Sequence, residues 1–196
     1  MISDATKGFW QEFDASSEVL AKNVIGGMHR EAFQHIETLL QKNGFDFCFE
    51  LTSEGGDAVL ALTPEGNVDV AQRIENLVQA KPDIRGWRVY AHRQRKPLSD
   101  ALAFVRHIYG IDVADASFDL MLTFGLYRIT MYCGDLNELT TGEICGLVET
   151  LLDHAIGEKL VMSKVEEVSG RASGRGQFSL SELVQRLTVD STEKKR

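Results

Sequence analysis

FDFCFELTSEGGDAVLAL, residues 45–62, decides the fold. Phe45, Phe47, Phe49 and Leu51 alternate with Asp46, Cys48 and Glu50, the period of two that turns one face of a strand toward a core. Glu54-Gly55-Gly56-Asp57 then supplies residues that tolerate positive φ, and AVLAL returns as a second apolar run. Two strands around a tight glycine turn predict a β-hairpin.

Working outward, the chain before the hairpin changes period. Leu20, Val24, Met28, Ile36, Leu39 and Leu40 follow helical spacing across residues 17–43, with Gly26-Gly27 predicting a bend and Gly44 a stop. Phe9, Trp10 and Phe13 predict a separate helical turn that covers an edge of the core. After the hairpin, Asn67 is placed to cap a helix bearing Val70, Ala71, Ile74, Leu77 and Val78 on one side, ended by Pro82 and Gly86. WRVYAHRQRK, residues 87–96, follows as a third strand, with Trp87, Val89 and Ala91 alternating against Arg88, Tyr90 and His92.

Beyond Pro97 the same order begins again. Ser99 is predicted to cap a helix carrying Ala101, Leu102, Val105 and Ile108 up to Gly110. SFDLMLTF and LYRITMYC form a second hairpin near Gly125, with Phe118, Leu120, Leu122 and Phe124 on one face. Thr140 and Glu143 match a capping box ahead of the stripe Ile144, Leu147, Val148, Leu151, Leu152 and Ala155, and KLVMSKVEEV is read as the sixth strand. SGRASGRGQF, residues 169–178, predicts a flexible loop, and Ser179 with Glu182 caps a last helix. The expected fold is therefore α+β: two successive α-β-β-α-β units, residues 1–96 and 97–196 with the C-terminal helix, forming one compact domain. An antiparallel or mixed sheet with helices packed on one side is expected, the six strands either joining in one sheet or dividing between two.

Composition narrows the function. The 196 residues are 43% hydrophobic, enough for a sizeable core, and carry a formal net charge of -8 that repels phosphate and makes nucleic acid an improbable partner. Cys48, Cys133 and Cys145 are separated, lie in apolar surroundings and lack CxxC spacing, so they read as reduced core residues rather than as a disulfide framework or zinc site. The opening MISDATKGFWQEFD lacks a secretory pattern and no run has the length of a membrane span, which predicts a cytoplasmic protein without membrane contact.

No nucleophile elbow, phosphate loop, dinucleotide fingerprint or HExxH motif is present, so no catalytic residue, metal ligand or cofactor is assigned. The candidate site is the basic segment. Arg88, His92, Arg93 and Arg95 could contact a small anion, because guanidinium forks match carboxylate and phosphate. Against this stands pairing of the same arginines with nearby acids such as Asp46, Glu50 and Asp83. Alternation places Arg93 and Arg95 on the side of Trp87, so the cations do not share a face. His29, His35, His107 and His154 are scattered, and Arg171 and Arg175 in the glycine-rich loop lack the register of a phosphate loop. Met121 and Tyr132 lie opposite the strongest apolar rows of the second hairpin, which predicts a covering subunit and self-association.

Phe9-Trp10, WRVYAHRQRKP at 87–97 and LLDHAIGE at 151–158 resemble a group of uncharacterised bacterial proteins. Those proteins carry an early tryptophan, a W-x-V-x-A-x-R-x-R strand and an L-L-D-x-A-[IL]-G-E helix end. The resemblance spans nearly the whole chain and implies no activity. Two expectations result: a noncatalytic cytoplasmic binding or regulatory module of the immunity or accessory kind, or an enzyme or sensor for a small anionic ligand. The second would use the basic segment, with Tyr127 or Asp119 as acid-base groups.

Overall fold

A computed structural model describes residues 2–189. The chain divides into two compact units, Met1–Arg93 and Gln94–Arg196. The described residues form seven α-helices and two mixed sheets, and the α+β expectation holds.

In the first unit, α1 (Asp4–Ile25) and α2 (His29–Lys42) precede β1 (Cys48–Glu54), β2 (Asp57–Thr63), α3 (Val68–Gln79) and β3 (Trp87–Tyr90). Strand β2 is central, antiparallel to β1 and parallel to β3. Gly55 and Gly56 make the hairpin turn at φ 60° and 89°, where an L side chain would be strained. Leu60 and Leu62 point into the helix-side core with Phe47 and Phe49. Phe9, Trp10 and Phe13 are not a separate turn: they lie inside α1 and stand at the centre of that core. Trp10 Nε1 donates to the Leu77 carbonyl at 2.8 Å and Trp87 Nε1 to the Ser17 carbonyl at 2.9 Å, so both indoles are anchored as well as buried.

The second unit repeats the topology. Helix α4 (Leu98–Tyr109) leads into β4 (Ser117–Thr123) and β5 (Leu126–Tyr132), then α5 (Thr141–Ile156), α6 (Glu158–Lys164), β6 (Val165–Arg171), β7 (Phe178–Ser179) and α7 (Leu180–Val189). Strand β5 is antiparallel to β4 and parallel to β6, as β2 is to β1 and β3, and β7 adds a short outer partner to β4. Phe118, Ile129, Met131 and Val168 pack against α5 and α7 through Leu147, Leu151, Leu183 and Leu187. The opposite face is polar, with Tyr132 donating to Asp119 at 2.9 Å and Thr130 bonded to Ser169 at 3.0 Å. Helices therefore cover one side of this sheet.

Three local expectations are corrected. KLVMSK belongs to α6, whose first residues follow Gly157 at φ 90°, and the strand begins only at Val165. Leu160 and Val161 serve the core from a helix as well as they would from a strand, so apolar content alone cannot separate the two. The SGR of the glycine-rich stretch continues β6, and the remainder is bound to the sheet. There Gly176 N–H donates to Ser117 Oγ at 2.8 Å and Gln177 N–H to Asp119 Oδ1 at 3.1 Å. Pro97, rather than Ser99, occupies the N-cap of α4.

Candidate functional site

The basic segment is a strand only through Tyr90, so the alternation expected to 96 stops there. Its four candidate residues diverge. Arg88 leans toward the hairpin turn, where Nε meets Asp57 Oδ2 at 3.0 Å and Nη1 meets Glu54 Oε2 at 3.2 Å. These contacts, the Asp57 hydrogen bond foremost, raise its pKa above the ordinary guanidinium value. Arg93 takes carboxylates from the other end of the same strands. Its Nε donates to Glu50 Oε1 at 2.7 Å and its Nη2 to Glu65. Glu65 presents that carboxylate from a turn at φ 50°, closed by the Asn67 N–H donating to the Pro64 carbonyl at 2.9 Å.

His92 is buried and hydrogen-bonded to Glu75 of α3 at 3.1 Å. Arg95 is exposed and, among the described residues, makes no ion pair. The expected partner Glu50 is found with Arg93, whereas Glu54, Asp57, Glu65 and Glu75 take the places foreseen for Asp46 and Asp83. The useful signal was topological. A parallel β3 beside β2 sets Arg88 opposite Val59, within reach of Asp57 at the start of β2.

Lys96 belongs to the second unit and does a different task. Its N–H donates to the His154 carbonyl at 2.7 Å, and its ammonium stands 4.9 Å from the centroid of Phe104, whose ring meets the His154 imidazole edge-on at 4.3 Å. His29, His35 and His107 are exposed and dispersed. Among the described residues no three His, Cys, Asp or Glu side chains are placed to hold a metal ion.

Asp119 and Tyr127, the acid-base candidates, lie on opposite faces of the second sheet. Asp119 accepts from Tyr132 and from the Gln177 amide, and its hydrogen bond raises the Tyr132 pKa. Tyr127 is half-buried against the core. Arg171 and Arg175 are exposed. A cavity of about 550 Å³ lies beside the start of α1, lined by Ile2, Ser3, Thr6, Asn76, Gln79 and Ala80. It contains no titratable side chain and none of the basic segment.

What sequence reasoning missed is the tip of the second hairpin. Leu122 and Phe124 were expected on the core face, yet Leu122 is 61% exposed and Phe124 fully so, with Met121 on the other face at 56%. The strands outrun the helices that cover Phe118 and Leu120. The dipeptide Phe124-Gly125 in a two-residue turn was the available signal, since a phenylalanine at that position cannot reach a core.

No family model matches the chain, and no curated protein and no solved structure matches it. Among the described residues no helix is long and apolar enough to cross a membrane.

Proposed function

We propose that the protein is a noncatalytic cytoplasmic binding or regulatory module, of the accessory or immunity kind, acting through a protein partner. One observation carries the reading: Arg88 and Arg93 are each already held between two carboxylates of their own unit. An incoming phosphate or carboxylate would have to displace those acids and approach a doubly acidic surrounding. The basic segment then serves as a fastener for the edge of a sheet, and the net charge of -8 favours a basic partner over an anionic ligand. The exposed apolar residues of the second hairpin supply a surface of the kind that partners bury.

A thermal-shift panel of phosphorylated metabolites and carboxylates tests this reading. No specific shift is expected. A rise that neutral analogues fail to reproduce and that Arg93→Ala abolishes would replace it with the enzyme or sensor of a small anion. Capture from the native cell with this chain as bait is expected to return a stoichiometric partner.

A further inference from the structure

We infer that the outer edge of β4 is an interface for a second copy of this chain, joined by antiparallel pairing of the two β4 strands across a two-fold axis. Strand β7 pairs with β4 only at Ser117 and Phe118, and among the described residues no strand pairs with the remainder, Asp119–Thr123. The ladder with β5 closes on a two-residue turn, Thr123 opposite Leu126. In such a ladder Thr123, Met121 and Asp119 exchange hydrogen bonds with β5, while Leu120 and Leu122 direct N–H and C=O to the open side. An open edge of this kind is a template for another strand.

The internal repeat provides the comparison. Both hairpins turn through two residues of positive φ, Gly55 and Gly56 at 60° and 89°, Phe124 and Gly125 at 50° and 87°. The first unit places glycine at the strained position and precedes it with Thr52, Ser53 and Glu54. The second places phenylalanine there, preceded by Met121, Leu122 and Thr123. Where one hairpin is polar and relaxed, its counterpart is apolar, exposed and strained, and strain retained with an exposed aromatic marks a contact surface.

Charge selects the occupant. Between Asp119 and Arg128 every residue is uncharged. Two chains of net charge -8 can approach along this edge without setting like charges opposite one another. In the register that centres Met121 on its symmetry mate, Leu120 faces Leu122 of the second copy and Asp119 faces Thr123, so only strand residues pair and Phe124 lies just past the end of the ladder. Apolar side chains then meet apolar ones on the helix side of a sheet continuous through both copies. Pairing along five residues of one strand edge is a small contact of the transient kind, and a dissociation constant of about 10–100 μM is expected.

This inference rests on reading the protein as a binding module and is tested separately from it. Sedimentation equilibrium of the full chain from about 1 to 500 μM, spanning that dissociation constant, should show a monomer of 21.8 kDa giving way to a species of twice that mass. Leu122→Lys and Phe124→Asn should remain monomeric with unchanged circular dichroism. Hydrogen exchange reads the edge itself: the amides of Leu120 and Leu122 should slow at high concentration, while those of Met121 and Thr123 should not change. A monomer throughout, or a dimer in which both variants persist and the Leu120 and Leu122 amides stay fast, overturns the proposal. Either result leaves the binding-module reading to the anion panel.

Discussion

Arg93 Nε donates to Glu50 Oε1 at 2.7 Å across 43 residues of chain, with side chains only 16% and 19% exposed. The pair ties the segment that follows β3 to the opposite edge strand, with Glu65 as the second acceptor. Removing the guanidinium leaves the largely buried Glu50 facing Glu65 with no counter-charge between them. Arg93→Ala is therefore expected to cost about 1–3 kcal/mol in urea unfolding. Arg93→Lys should recover part of that loss, because an ammonium keeps the charge but not the fork. An unchanged midpoint for Arg93→Ala would remove the fastening role assigned to the basic segment.

The two capping boxes give stability an acid limb. Glu143 accepts from the Thr140 hydroxyl and N–H at 2.7 and 2.8 Å, and Glu182 accepts from the Ser179 N–H at 2.8 Å and its hydroxyl at 2.7 Å. Both carboxyls are held below the ordinary 4.5, Glu143 mainly by the Thr140 hydroxyl and Glu182 mainly by the Ser179 N–H. A folded value below the unfolded one means the folded state binds fewer protons. The contribution is present above pH 4.5 and disappears as pH falls through the folded values. Thermal midpoints across pH 2.5–6 should drop less steeply for Glu143→Gln than for the parent, a range of roughly two units either side of a carboxyl pKa. Thr140→Ala should cost about 1 kcal/mol at neutral pH by loss of the N-cap.

These caps were legible because their chemistry is local: a hydroxyl and a carboxylate three residues apart satisfy each other without help from the rest of the chain. The hairpins and the repeated order were legible for the same reason, through alternation around Gly55-Gly56 and Gly125. Elements decided by distant partners were not. Phe9, Trp10 and Phe13 belong to the core because Leu77 and Trp87 come to meet α1. The side-chain alternation of 87–96 ends at Tyr90, where β2 ceases to pair with it. The arginine partners follow from the parallel placement of β3, which no short-range pattern encodes.

Gly176 explains why a stretch that reads as linker is fixed. A Cβ there would come within 2.4 Å of the Phe118 backbone, so only hydrogen fits beside β4. Gly176→Ala should push residues 172–177 off the sheet, break the bonds to Ser117 and Asp119, and speed amide exchange at Gly176 and Gln177 by at least about tenfold, equivalent to roughly 1.4 kcal/mol of local opening. Gly142→Ala, with open space around it, is the matched control and should leave exchange there unaltered.

Trp87 couples burial to one buried hydrogen bond. Its indole packs edge-on to Phe13 with ring centroids 4.9 Å apart while Nε1 serves the Ser17 carbonyl. Trp87→Phe keeps an aromatic ring but removes the donor and shrinks the side chain. A loss of about 2–3 kcal/mol is expected, the sum of an unserved buried carbonyl and a partial cavity. Trp10→Phe should behave similarly through the Leu77 carbonyl, and chemical denaturation followed by circular dichroism measures both.

Phe124 offers the opposite sign. At φ 50° its Cβ crowds the following carbonyl, a cost asparagine largely avoids, and its ring is fully exposed, so the isolated fold gains nothing from it. Phe124→Asn should therefore raise stability by about 1 kcal/mol when measured well below the association range. The reciprocal change tests the equivalence of the two turns: Gly55→Ala, at φ 60°, with Arg88 Nη2 3.2 Å from the new Cβ, should lose about 1 kcal/mol or more. Thermal denaturation of both variants at about 1 μM, where the pairing inferred for β4 is mostly dissociated, separates turn strain from association. A destabilised Phe124→Asn would mean that the ring supports its own unit, and the contrast between the hairpins would lose its functional meaning.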